Sequence, residues 1–158
     1  MNKYLSVLLL ISLALASCLQ VKKKSEFQLS VSYISGEYDG LLLSNQLKSY
    51  LNNFGILNAN SNFQVQGSVS HSSNLFITNI DNTSDREKID SSINIKIFNR
   101  ESECFTYSFN ESISQFYVLA GSDKFSSNRT AIEEIKSDNT EYFVKRFINS
   151  LTDESFVC

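Results

Sequence analysis

Hydrophobic and polar residues along this chain follow two different periods, and each change of period marks a new predicted element. From Phe27 to Tyr33 every second residue is apolar, which predicts a half-buried strand. Between Gly40 and Gly55 apolar residues recur every three or four positions, the spacing of an amphipathic helix that packs against a sheet. Gly55 stands where a residue in the left-handed conformation would end this helix.

Alternation then returns and predicts three further strands. They are Phe63–Val69 with a continuation at Leu75–Ile77, Ile89–Ile97, and Phe105–Ile113. Polar residues rich in turn formers fill positions 81–88 and 99–102 between these strands. The sequence therefore predicts two hairpins joined through a common central strand.

The last predicted element is a second helix, which extends to Leu151. A Ser/Asn-rich segment at 126–128 can cap its start. One face of the helix carries Ile132, Ile135, Asn139, Tyr142, Phe143 and Phe147. The order β-α-β-β-β-α predicts an α+β sandwich, in which two helices pack on one face of a mixed four-stranded sheet. We expect this domain to span residues 27–151 and to be followed by a tail at 152–158.

A bacterial lipoprotein signal precedes the domain. Lys3, an apolar run from Leu5 and the sequence Leu15-Ala16-Ser17-Cys18 match the three parts of a secretory leader that ends at a cysteine. We expect a signal peptide at residues 1–17, a lipid on Cys18 and a tether at 18–26. The apolar run is shorter than the roughly 20 residues of a membrane-spanning helix.

The expected lipid on Cys18 sets the predicted location of the protein. Two or more acyl chains hold a protein stably on a membrane. Leu19 follows the lipidated cysteine where an acidic residue would signal inner-membrane retention in enteric bacteria. We therefore expect a protein that is lipid-anchored at the periplasmic face of the outer membrane.

Composition and chemistry argue against several functional classes. The formal net charge of −3 does not favour a nucleic-acid partner, which requires a basic surface. His71 is the only histidine and has no cysteine or acidic residue at metal-ligand spacing, so a packed or exposed strand residue is the expected role. The serine-rich segments lack the pattern of a nucleophile elbow. We expect neither catalysis, nor a bound metal, nor any cofactor beyond the covalent lipid.

Two cysteines remain once Cys18 is acylated, Cys104 and Cys158. Thiols of exported proteins are able to form disulfides. One hypothesis is a Cys104–Cys158 bond that ties the tail to the sheet. The alternative is a free buried Cys104 with a loose tail, and the number of cysteines does not decide between the two.

The chain resembles the lipopolysaccharide-assembly lipoprotein LptE family, in particular its alphaproteobacterial branch. The resemblance rests on residues 15–18, on the strand residues Ile93–Ile97, and on the closing segments Phe116–Ser122 and Arg129–Ile135. It implies an outer-membrane lipoprotein that plugs and helps assemble the LptD barrel and assists delivery of lipopolysaccharide to the cell surface. The implied partners are LptD, lipopolysaccharide and the outer membrane.

Four basic residues at or beside the predicted hairpin tips are candidates for contact with lipopolysaccharide phosphates. They are Arg86, Lys88, Lys96 and Arg100. Solvated loop charges are the alternative interpretation of all four. Two other functions also stay open: a free-standing periplasmic ligand-binding or scaffold lipoprotein, and an envelope regulator that reaches a peptidoglycan synthase.

Overall fold

Six elements follow one another in the order predicted from the sequence. The computed structural model describes residues 27–77, 84–119, 125–151 and 158. The elements are β1 (Ser30–Ser35), α1 (Glu37–Asn53), β2 (Phe63–Ile77), β3 (Ser84–Asn99), β4 (Cys104–Val118) and α2 (Phe125–Ser150). The expected signal peptide, Cys18 and its tether lie outside the described residues, as do positions 152–157 of the tail.

The four strands form one mixed sheet in the order β1-β2-β3-β4. β1 is parallel to β2, whereas β2–β3 and β3–β4 are antiparallel. A parallel pair needs a crossover connection, and α1 supplies it between β1 and β2. The predicted α+β class, element order and mixed sheet are therefore confirmed.

The core lies between the two helices and one face of the sheet. Alternate residues of β3 point into it, and Ile89, Ile95 and Ile97 are fully buried there. The helices contribute side chains at helical spacing. They are Leu43, Leu47 and Leu51 from α1, and Phe143, Val144, Phe147 and Ile148 from α2.

A polar cluster joins the two helices. The Tyr50 hydroxyl of α1 donates a hydrogen bond of 2.5 Å to Glu141 Oε1 of α2. Lys145 Nζ lies 2.8 Å from the same carboxylate. Lys145 and Tyr50 together hold the pKa of Glu141 below its usual range, because both stabilise the charged carboxylate.

The predicted bounds of three elements are wrong by a few residues. α1 begins at Glu37 rather than at Gly40, and it follows Gly36, which has a left-handed φ of 119°. Gly40 lies inside the helix, where a Cβ atom would come within 2.6 Å of the Ser35 carbonyl oxygen. The expected left-handed residue at Gly55 is confirmed, with φ at 71°.

The predicted first hairpin tip at 81–88 is also too long. β3 already begins at Ser84, and Lys88 pairs with Asn74 of β2 and with Phe116 of β4. β4 likewise continues to Val118, beyond the predicted Ile113. From Arg86 onward β3 has a paired strand on each side, so its polar side chains do not end the strand there.

Candidate functional site

The sheet face opposite the helices is the candidate functional site, and we call it the open face. In the described part of the chain both helices pack on the other side. Strand register places hydroxyl and amide side chains across the open face: Gln64, Gln66, Ser68, Ser70, Ser92, Asn94, Ser108, Asn110 and Ser112. The polar positions of the sequence alternation therefore gather on a single surface.

A shallow depression marks the middle of the open face. Serine and asparagine residues of β2, β3 and β4 line it, including Ser70, Ser92 and Ser112. Asn94 Nδ2 donates a hydrogen bond to Asn110 Oδ1, and Asn110 Nδ2 donates to Ser108 Oγ at 3.2 Å. Such a surface can form many hydrogen bonds with water or with a polar partner surface.

Two of the predicted phosphate-binding residues lie at the end of the open face beside the β2–β3 hairpin. Lys88 Nζ forms a salt bridge of 2.8 Å with Asp90 Oδ1, and Ser114 Oγ donates to the same carboxylate. Lys88 and Ser114 hold the pKa of Asp90 below its usual range, because both favour the charged form. The charge of Lys88 is thus already opposed, while Arg86 is an exposed residue two positions earlier on β3.

The other two predicted residues lie towards the opposite end of the sheet. Lys96 Nζ is 5.3 Å from the centre of the Phe105 ring, which in turn contacts Phe98 edge to face. Arg100 Nη2 donates to the Ser61 carbonyl oxygen at 3.4 Å. Eight residues of extended strand separate Lys88 from Lys96, a distance of about 26 Å. The four basic residues therefore lie towards two opposite ends of β3 and do not form one anion site.

A buried polar network, which the sequence analysis did not anticipate, joins the sheet to α2. His71 Nδ1 lies 2.8 Å from Ser91 Oγ, and His71 Nε2 lies 3.2 Å from Thr140 Oγ1. Asn139 Nδ2 donates to Ser91 Oγ at 2.9 Å, and Thr140 Oγ1 donates to the Lys136 carbonyl oxygen at 2.9 Å. Ser91, Asn139 and Thr140 are all buried.

These donors fix the protonation of His71. Because the Thr140 hydroxyl donates its hydrogen to the Lys136 carbonyl oxygen, Thr140 Oγ1 accepts a hydrogen bond from His71 Nε2–H. Ser91 accepts from Asn139 and donates its own proton to His71 Nδ1. Burial lowers the pKa of His71, since desolvation disfavours the charged ring. His71 is therefore a neutral, partly buried link between the sheet and α2. The described residues contain no group of three metal-binding side chains.

Cys104 and Cys158 form a disulfide, with their Cα atoms 6.1 Å apart. The bond attaches the last residue of the chain to the first residue of β4. Of the two alternatives left open by the sequence, the structure contains the disulfide. Neither α1 nor α2 is long and apolar enough to cross a membrane.

Comparison with known proteins finds likeness at the level of structure. No protein-family model matches the sequence, and no curated protein matches it. Rare lipoprotein B from Shewanella oneidensis is a structural neighbour with a TM-score of 0.63 and 14% identity, over 78% of this chain and 92% of that one. Lipoprotein B from Nitrosomonas europaea gives a TM-score of 0.59 and 8% identity, over 80% of this chain and 82% of that one.

A third neighbour is a minor lipoprotein from Acinetobacter baumannii. Its TM-score is 0.52 and its identity 18%, over 75% of this chain and 88% of that one. At these identities the comparison shows a common fold and no more. The chain thus has the fold of several solved bacterial lipoproteins.

Proposed function

We propose that this chain is an outer-membrane lipoprotein that occupies the lumen of an LptD-type barrel, helps the barrel assemble and assists the delivery of lipopolysaccharide. The observation that carries the proposal is the centre of the open face, where hydroxyl and amide side chains of three strands lie side by side on a fold shared with rare lipoprotein B. The resemblance of the sequence to the LptE family supports the same function.

The physical demands on a barrel plug explain why the open face matters. The lumen of an outer-membrane barrel is polar and filled with water. A plug must therefore present hydrogen-bonding groups outward while a separate apolar core keeps it folded. Here the helices cover the apolar face completely at β3, and Ser70, Ser92 and Ser112 form an exposed row across the other face.

The lipid on Cys18 supplies attachment independently of this domain. Acyl chains hold the protein at the membrane, so the folded part needs no apolar membrane-binding surface of its own. In this account the anchor keeps the domain at the periplasmic side of the outer membrane, beside the barrel that it enters.

The separation of the basic residues changes how lipopolysaccharide contact is proposed. About 26 Å of extended strand separates Lys88 from Lys96. Arg86 lies at the Lys88 end of β3, and Arg100 follows its other end. A single phosphate group therefore meets the basic residues of one end only. Because Asp90 already opposes Lys88 and Arg100 bonds to the Ser61 carbonyl, we assign the main phosphate contact to the exposed Lys96.

Affinity purification of the tagged protein from detergent-solubilised outer membranes tests this function. We expect a barrel of LptD type to co-purify in a fixed ratio with the lipoprotein. An unrelated lipid-anchored protein with the same tag is the control, since both share the membrane but only one should retain the barrel. Recovery of the lipoprotein without the barrel would favour a free-standing periplasmic role.

A further inference from the structure

The two edge strands of the sheet, β1 and β4, differ in how they are protected from pairing with another chain. β1 has six residues and its register shifts between Val31 and Ile34. β4 has fifteen residues, and its ladder with β3 is unbroken from Ser108 to Gln115. Short length and bulges are two of the devices that keep an edge strand from pairing with other chains. β1 has both devices. β4 is long, and the irregularity in its pairing with β3, between Phe105 and Tyr107, lies outside Ser108–Gln115.

The composition of β4 supplies only one charge against pairing with another chain. Between Cys104 and Val118 there is no lysine, arginine or proline, and Glu111 is the one charged residue. Within an antiparallel ladder every second residue of an edge strand directs its N–H and C=O groups away from its neighbour. No strand in the described part of the chain pairs with this outer side of β4. We call the outer side of Ser108–Gln115 the β4 edge.

Side chains beside the β4 edge are incompletely covered on the helix side of the sheet. On β3, Ile95 and Ser91 are buried to 1% exposure or less, whereas their β4 partners Phe109 and Ile113 are only partly buried. Tyr142 of α2 remains 41% exposed next to this strip. A further strand paired with β4 would place its side chains beside Phe109, Ile113 and Tyr142 and so cover them.

Glu111 lies between Phe109 and Ile113 on the helix side of β4 and is the polar residue among these apolar side chains. Its Oε1 atom accepts from Arg146 Nε at 3.3 Å, and Tyr142 lies at 3.5 Å. Its Oε2 atom is buried and has no hydrogen-bond partner in the described part of the chain. A buried carboxylate oxygen without a donor is unfavourable, and a donor side chain on an added strand would satisfy it.

We propose that the β4 edge accepts an extended segment of the barrel protein as a fifth strand of the sheet, a step that rests on the proposed function. The segment carries apolar residues against Phe109 and Ile113, with a hydrogen-bond donor between them facing Glu111. Strand addition of this kind draws affinity from backbone hydrogen bonds and specificity from alternate side chains. A closed barrel has no free edge in its wall, so the segment belongs to a loop or a terminal extension of the barrel protein.

Hydrogen exchange followed by mass spectrometry tests this proposal on the free lipoprotein and on its purified complex with the barrel. In the free protein about half of the amides in Ser108–Gln115 should exchange fast, because they point away from β3. In the complex we expect these amides to slow by about tenfold or more. The β1 amides at the bulge serve as the matched control and should keep their rate.

Each other outcome overturns the inference in a distinguishable way. If the complex forms and the fast amides of the β4 edge keep their rate, strand addition is wrong while the barrel partnership stands. If no complex can be isolated, both proposals fail. If the β4 amides of the free protein are already slow and sedimentation shows a dimer, the edge pairs with a second copy of this chain instead.

Discussion

Asn139 Nδ2, in the middle of α2, donates a hydrogen bond of 2.9 Å to Ser91 Oγ on β3. The bond lies in the buried layer between the helix and the sheet. Both residues are almost fully buried. This bond sets the position of α2 over the sheet and orients Ser91 towards His71. A polar network in a core of Ile, Leu and Phe is costly unless every member finds a partner, so its removal should be measurable.

Asn139→Ala should lower the free energy of unfolding by about 1–3 kcal/mol, because Ser91 loses a buried donor and a cavity remains. Urea unfolding followed by circular dichroism measures the change. Asn45→Ala is the matched control, since Asn45 is an exposed residue of α1 and its replacement should change stability by less than about 0.5 kcal/mol. Equal effects of the two substitutions would contradict the role assigned to Asn139.

His71 makes stability depend on pH below neutrality. Its pKa in the folded protein lies below the ordinary value of 6.5, because burial outweighs the nearby carboxylates of Asp39 and Glu133, while Lys136 lowers it further. The unfolded chain therefore takes up a proton first as the pH falls, and stability is lost below about pH 6.5.

The measurement is the free energy of unfolding at pH values from about 7.5 to about 5. His71→Asn should cost stability at neutral pH and should flatten the slope in this window. Glu141 and Asp90, whose pKa values are lowered, lose their contributions only at more acidic pH. A variant that keeps the wild-type slope between pH 6.5 and 5 would show that His71 is not responsible.

Gly67 lies on β2 where the backbone of β3 comes close to it. A Cβ atom there would overlap the Asn94 carbonyl oxygen and touch Ile95. Gly67→Ala should therefore destabilise the protein by about 1–3 kcal/mol through displacement of β3. Ser70→Ala, on the same strand but exposed, should be nearly neutral in the same urea titration, and a neutral Gly67→Ala would contradict this account.

The Cys104–Cys158 bond should be present in the protein from the envelope. Thiol titration of the denatured protein before reduction is expected to find neither thiol free. Fifty-four positions separate the two cysteines, and closing a loop of that size stabilises a fold by up to about 4 kcal/mol in the chain-entropy model. Cys104→Ser and the double variant with Cys158→Ser should lose the same stability, whereas two free thiols in the wild type would exclude the bond.

Local pattern was enough to predict most of the fold. The alternation of Ile89–Ile97 indicated β3 and its buried face, and the spacing of Leu43, Leu47 and Leu51 indicated α1. The extension of β3 back to Ser84 was missed because it depends on pairing with β2 and β4. The residues of that segment are polar, so their sequence resembles a turn.

The sites were harder to predict, since they depend on contacts between distant positions. His71 and Thr140 are 69 residues apart in sequence, and no local spacing indicates that they meet. Alternation indicated the polar character of the open face, but the register was needed to show which residues of β2, β3 and β4 lie side by side there. Lys88 was predicted at the first hairpin tip, but the register places it inside β3, paired with Asn74 and Phe116.

The central claim is that the open face meets the interior of an LptD-type barrel, and a pair of matched substitutions tests it most directly. Ser92→Arg places a large cation in the exposed row at the centre of that face, and Ser49→Arg makes the same change on the exposed side of α1. Thermal unfolding first verifies that both variants fold. The account predicts that Ser92→Arg reduces the barrel recovered by affinity purification by about tenfold, a binding cost of about 1.4 kcal/mol, while Ser49→Arg recovers the wild-type amount. Equal recovery of the barrel with both variants would contradict the account.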